Sequence, residues 1–136
     1  MLYVKWIDEK YSVNIRQIDE QHKKLIAIIN EVFEKKMDNV GEGTAADILA
    51  KLTEYTQTHF QDEEKLMQQF NFPDLEVHQR THQYFVKKVR QYVQDFRNNQ
   101  EFLTDDLLCF LRDWLINHIM ETDKIYATFL NKKGVF

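Results

Sequence analysis

Glycine occurs three times in the 136-residue chain and proline once. Folds that turn sharply and often depend on these two residues. Their scarcity disfavours β-rich architectures and suits long uninterrupted helices. Cysteine occurs once, at Cys109, so no disulfide framework is available. Its neighbours Leu107, Leu108, Phe110 and Leu111 are apolar, and Cys109 is therefore expected to be a small buried core thiol, not a nucleophile. No apolar run approaches the roughly 20 residues needed to span a bilayer. There is no basic block either: 18 Lys and Arg are interspersed with 22 Asp and Glu for a net charge of −4, a poor footprint for nucleic acid. The first residues, MLYVKWIDEKY, carry acids and an early Trp6 and do not read as a signal peptide. A cytoplasmic protein without membrane insertion is expected.

What is present is the composition of a folded globule, 43% hydrophobic and 29% charged, long enough for one domain over 1–136 with a core of its own. Residues 1–17 show no sustained 3.6-residue period and are expected to form a non-helical arm, held to the body by Tyr3, Val4, Trp6, Ile7 and Val13. Beyond it the apolar pattern predicts four helices. The first runs from about residue 19 to 37, with Ile18, Leu25, Ile29, Val32 and Phe33 on one stripe. After the break DNVGEG, the second runs from 44 to 70, with Ile48, Leu49, Leu52, Tyr55, Leu66, Met67 and Phe70 inward. NFPD is a turn, and the third helix runs from 74 to 97 with Leu75, Phe85, Val89, Tyr92, Val93 and Phe96 inward. RNNQ is a further turn. The fourth helix runs from 104 to 131, with Leu107, Leu108, Leu111, Trp114, Leu115, Ile125, Phe129 and Leu130 inward and Gly134 just past its end. Short connections make successive helices antiparallel, so the chain is expected to be an all-α, up-down-up-down four-helix bundle over 18–131.

The inward stripes are interrupted by polar residues. On the third helix the row reads Leu75, His78, His82, Phe85, Val89, placing two imidazoles one turn apart on one face. The residue after the first is Gln79, so the zinc-protease helix motif is absent. On the second helix His59 and Glu63, also i and i+4, replace apolar residues between Leu52 and Phe70. His22 stands in line with Ile18 and Leu25, and His118 in line with Leu111 and Leu115. Asp123 follows His118 by five positions, about 140° around an ideal helix. Either the helix is distorted there, as by a π-bulge, or the side chain swings back. One such histidine is usually a hydrogen-bonded core residue. Here all five fall on inward stripes of four helices with two carboxylates among them, and a buried ionised carboxylate needs a cation.

Five nitrogens and two carboxylates exceed the six ligands of one octahedral ion. They suit two ions with the carboxylates shared as bridges, a solvent oxygen as third bridge, and the histidines divided three and two. One ion then keeps an open position. A donor set of imidazole and carboxylate without thiolate suits iron, ahead of manganese or zinc.

The segments DEQHKKL, HFQDEE, HQRTH and HIMETD, with Trp6 and the ending DKIYATFL, resemble the hemerythrin family in its single-domain bacterial form, and the likeness covers nearly the whole chain. The resemblance implies that His78, His82 and His118 bind a saturated iron, that His22 and His59 bind an open one, and that Glu63 and Asp123 bridge them. It implies two non-haem iron ions joined by an oxo or hydroxo group, and reversible dioxygen binding in a dry apolar pocket, which would serve as carrier, store or delivery to an oxygen-consuming enzyme. Leu25, Phe60, Trp114, Leu115 and Ile119, which ordinary core packing would also explain, are the expected dioxygen pocket. Gln21, Tyr126 or backbone carbonyls would fix the imidazole tautomers. A di-iron oxidase of the ferritin kind needs Glu-x-x-His motifs, which are missing, so an enzyme is not expected beyond weak peroxidase or nitric-oxide chemistry. A sensor of dioxygen, redox state or iron would need a separate output partner. The charged outer faces suit a monomer.

Overall fold

The computed structural model describes residues 3–98 and 103–136, without the side chains of 96–98. The elements are α1 (Asp8–Tyr11), α2 (Arg16–Met37), α3 (Glu42–Gln69), α4 (Leu75–Asn98), α5 (Asp105–Asn117), a π-helical turn (His118–Asp123) and α6 (Lys124–Lys132). No strand occurs among the described residues. Helix α2 packs on α3, α3 on α4, α4 on α5 and α5 on α2, which closes the ring of a four-helix bundle; α5, the π turn and α6 act as its fourth rod. No helix is long and apolar enough to cross a membrane.

Helices α2, α3 and α6 end in the same way. Asn39, Asn71 and Gly134 take positive φ of 50°, 56° and 86°. In each case the positive-φ residue and its successor donate back into the last turn: Asn39 to Lys36 and Val40 to Lys35, Asn71 to Gln68 and Phe72 to Met67, Gly134 to Asn131 and Val135 to Leu130. This is the Schellman stop, which satisfies carbonyls the helix leaves unpaired. At the start of α5, the Thr104 hydroxyl accepts from the Leu107 N–H at 3.1 Å, with Asp105 and Asp106 in the first turn to complement the helix dipole.

The arm is more structured than its sequence suggests. It holds the single-turn helix α1, and α2 begins at Arg16 instead of 19. The cause is Asp19, whose carboxylate accepts from the Val13 N–H (2.8 Å) and the Ser12 hydroxyl (2.6 Å) and so ties the segment before α2 to its first turn. Tyr3 stacks on Phe33, and Val4, Trp6 and Ile7 join the core as expected. The buried Asn30 amide donates to the Val4 carbonyl and accepts from the Val4 N–H, both at 2.8 Å. Replacing Asn30 with Ala leaves both backbone groups without partners and should cost about 2 kcal/mol. A urea midpoint unchanged by the substitution would show that this clasp does not hold the arm.

Two further sequence expectations are corrected. Cys109 is exposed. It lies about 200° around the helix from Leu107 and so faces away from the stripe of Leu107, Leu108 and Leu111. Ile125 is 60% exposed, and Tyr126, Ala127 and Leu130 occupy the inward face in its place. The π turn inserts a residue's worth of rotation, which moves the buried stripe one position later. The rest of the pattern agrees, with Tyr55, Leu66, Phe70 and Phe129 half-buried. The inward placement of Phe96 and the end of the RNNQ turn lie outside the described residues.

The core is in two parts. One apolar cluster includes Leu25, Ile29, Leu52, Phe60, Phe85, Leu111, Leu115 and Ile119. The other is built from Val13, Ile15, Ile18, Met67, Phe72, Tyr126, Ala127 and Leu130. His22, His59, Glu63, His78, His82, His118 and Asp123 fall at the boundary of these clusters, for example His22 between Ile18 and Leu25. They form one buried polar layer across the bundle.

Candidate metal centre

All seven predicted residues meet in that layer. His22 comes from α2, His59 and Glu63 from α3, His78 and His82 from α4, and His118 and Asp123 from the two ends of the π turn. All are buried, and Glu63 and Asp123 are fully so. The π turn resolves the awkward fivefold spacing. Its wider i to i+5 turn returns Asp123 to the face of His118, and His118 Nε2 lies 2.9 Å from Asp123 Oδ1.

The Nε2 atom of every histidine points at the two carboxylates, and each carboxylate divides its oxygens in the same way. Glu63 Oε1 faces His59 and His22, the latter at 3.2 Å. Glu63 Oε2 faces His78 at 3.3 Å and His82 at 3.4 Å. Asp123 Oδ2 faces His22 at 3.0 Å, while Oδ1 faces His78 at 3.1 Å and His118. Two groups result. Glu63, His78, His82, His118 and Asp123 form one, and His22, His59 and Glu63 form the other, with one candidate ligand atom per residue lying within 4.8 Å of the rest of its group.

Proximity here is not hydrogen bonding throughout. His82 Nε2, His118 Nε2 and both Asp123 oxygens have no hydrogen-bond partner although they are buried. Lone pairs converging on one point without protons between them are what a cation satisfies. The donor set is nitrogen and carboxylate oxygen with no thiolate, and it fits a pair of hard or borderline ions.

Protons can stand in for part of that charge. Burial by itself lowers the pKa of His22 and His78, but the close carboxylates of Asp123 and Glu63 outweigh it and raise both to about 9. Burial favours the neutral form of Glu63, yet the surrounding imidazoles of His59, His22 and His78 hold it well below the usual carboxylate range. Asp123 is likewise lowered: burial and the charge of Glu63 oppose ionisation, and His118 and His22 prevail.

The predicted pocket residues belong to or pack against the larger apolar cluster. Leu25, Phe60, Leu115 and Ile119 are buried and Trp114 is half-buried. Two of them lie on the three-histidine group: Phe60 stacks on His82 with ring centroids 3.8 Å apart, and Trp114 stacks on His118 at 4.3 Å. Phe60 also stands 6.0 Å from His59. A groove of about 730 Å³ between α3 and α4 reaches this edge, with Phe60, Glu64 and His82 among its lining.

Of the expected tautomer partners, Gln21 is in place, its Oε1 2.6 Å from His59 Nδ1. The Tyr126 hydroxyl is buried without a hydrogen-bond partner. Burial, with the charges of Glu63 and Asp123, pushes its pKa well up. Glu64 and Asp62 escaped the sequence reading. Glu64 lies 3.2 Å from His82 Nδ1, and Asp62 accepts from Gln21 at 2.9 Å. The signal was present in the acidic run Asp62, Glu63, Glu64.

The family model described as the hemerythrin HHE cation binding domain matches residues 13–130. The chain belongs to the hemerythrin family. It is 32% identical over 129 residues to a bacteriohemerythrin of Stenotrophomonas maltophilia (strain R551-3), a match covering 93% of this chain and 81% of that one. A bacteriohemerythrin of Methylococcus capsulatus is 28% identical over 134 residues, covering 96% and 99%. The crystal structure of wild-type hemerythrin superposes with a TM-score of 0.81 at 27% identity, covering 93% of this chain and 96% of that one. Membership of the hemerythrin family accounts for a metal-binding cluster of His, Glu and Asp within a four-helix bundle.

Proposed function

We propose that this hemerythrin-family chain binds dioxygen reversibly at two non-haem iron ions, as a carrier, a store or a source for an oxygen-consuming enzyme. His78, His82 and His118 would hold one iron, His22 and His59 the other, and Glu63 and Asp123 would bridge them. The observation that carries this reading is the division of the carboxylate oxygens: each turns one oxygen to the pair of histidines and the other to the trio. A structural ion would need one set of donors. Two sets of unequal size, sharing both carboxylates, leave one ion with fewer protein ligands and room for a small molecule. When bound, the reduced iron pair supplies the electrons by which dioxygen is held and returned.

The protein's part is to place the donors and keep water out. Leu25, Leu115 and Ile119 present only hydrocarbon, and Phe60 and Trp114 cover imidazole faces. A dry apolar wall of this kind protects the reduced centre from water and anions. The chain's similarity to bacteriohemerythrins supports this use.

A visible spectrum series tests it. Protein loaded with ferrous iron without air should develop a charge-transfer band when air is admitted and lose it when purged with inert gas. Irreversible conversion to a diferric spectrum would overturn reversible binding and leave a redox role.

A further inference from the structure

Three consecutive acids on α3 face three directions, because neighbouring residues on a helix stand about 100° apart. Glu63 points to the centre of the bundle. Asp62 turns toward α2, where Gln21 Nε2 donates to it at 2.9 Å. Glu64 turns toward α4, where it lies 3.2 Å from His82 Nδ1 and borders the α3–α4 groove. An ionised carboxylate only accepts hydrogen bonds. The proton between Glu64 and His82 therefore sits on His82 Nδ1, which leaves its Nε2 lone pair free and facing inward. On the other side the link passes through an amide. Asp62 claims the Gln21 NH₂ group, so Gln21 must present its oxygen to His59. The proton between them sits on His59 Nδ1 at 2.6 Å, and the His59 Nε2 lone pair also faces inward.

We propose that Asp62 and Glu64 are positioning residues for the metal centre: each locks one imidazole in the tautomer that can bind metal, Glu64 directly on His82 and Asp62 by fixing the Gln21 amide on His59. This rests on the metal-binding reading of the site. The two locks differ in charge. A carboxylate bears on the three-histidine side and a neutral amide on the two-histidine side. Because a carboxylate partner makes an imidazole a stronger donor, Glu64 would favour the oxidised state of the metal that His82 would hold.

The test uses the full chain loaded with ferrous iron alone. It reads iron retained against a chelator and the midpoint potential of the loaded centre. Asp62→Leu frees the Gln21 amide to flip and offer its NH₂ to His59, which puts the proton on the wrong nitrogen. Iron should be released about 10- to 100-fold more readily. Adding Gln21→Glu to Asp62→Leu removes the amide's ambiguity and should restore retention, although it returns nothing that a merely structural Asp62 supplied. Glu64→Gln removes the charge and leaves an unfixed amide that can offer either its oxygen or its NH₂ to His82, so iron should be held less firmly and the potential of the loaded centre should rise. Full retention by Asp62→Leu, no recovery in the double variant, or an unchanged potential in Glu64→Gln would each overturn the proposal. A parent protein that held no iron would overturn it together with the metal-binding reading; a parent that held two irons beside indifferent variants would overturn this proposal alone.

Discussion

Glu63→Ala should empty both halves of the centre. Its Oε1 faces His22 and His59, and its Oε2 faces His78 and His82, so on the proposed di-iron assignment one truncation would remove a ligand from each ion and the link between them. Iron content should fall from two per chain to well below one. His118→Ala makes the useful comparison. His118 faces only Asp123 Oδ1, which belongs to the three-histidine side, and its loss should spare the other ion. Iron analysis of desalted protein checks both. Two irons retained by Glu63→Ala would refute the bridging role, and equal losses from the two variants would mean that the halves do not load separately.

Metal removal is the second large effect. A ligand present at about a thousand times its dissociation constant stabilises the folded state by about 4 kcal/mol. Two such ions amount to about 8 kcal/mol, and for a chain of this size that shifts the unfolding temperature by roughly 15–30 °C. The metal-free protein should also show its own pH dependence. His22 and His78 have folded pKa values raised to about 9, so their contribution is complete below the ordinary value of 6.5 and is lost as pH rises toward 9. Glu63 and Asp123 are lowered, so theirs is present above the ordinary carboxylate range and is lost as pH falls below it. Metal-free protein should therefore be most stable between about pH 5 and 6.5 and weaken on both sides. Metal binding must displace imidazole protons, so the gap between loaded and metal-free protein should widen from pH 5.5 to 8.5. Thermal unfolding at those two values decides the matter. Metal-free protein that grew more stable at pH 8.5 would contradict the paired state of His22 and His78.

The agreement between sequence and structure is uneven in an instructive way. The histidines were legible because an imidazole in an apolar row breaks a pattern that burial otherwise enforces, and five such breaks on four helices leave little room for coincidence. Helix ends were legible to within a few residues because Asn39, Asn71 and Gly134 stand where a left-handed stop is needed. The failures were failures of phase. The apolar neighbours of Cys109 suggest burial, whereas its angle from Leu107 places it outside. Ile125 was placed inward by extending a 3.6-residue period through a π turn that interrupts it. The same turn explains the one ligand spacing that an ideal helix could not, so the misplaced Ile125 and the awkward Asp123 share one cause.

By itself the sequence determined the helical class, because periodic apolar stripes with almost no glycine or proline have few other solutions. It also determined the identity of the buried donors, because polar residues on those stripes have nowhere else to go. Tertiary structure decided what depends on distance and direction between helices. It set which oxygen of Glu63 and Asp123 faces which histidines, placed Phe60 and Trp114 on the faces of His82 and His118, and brought Asp62 and Glu64 to bear on opposite sides of the centre. A sequence pattern places a residue on a face of its own helix. Only the packed bundle, with α2 and α4 on either side of α3, determines what that residue meets.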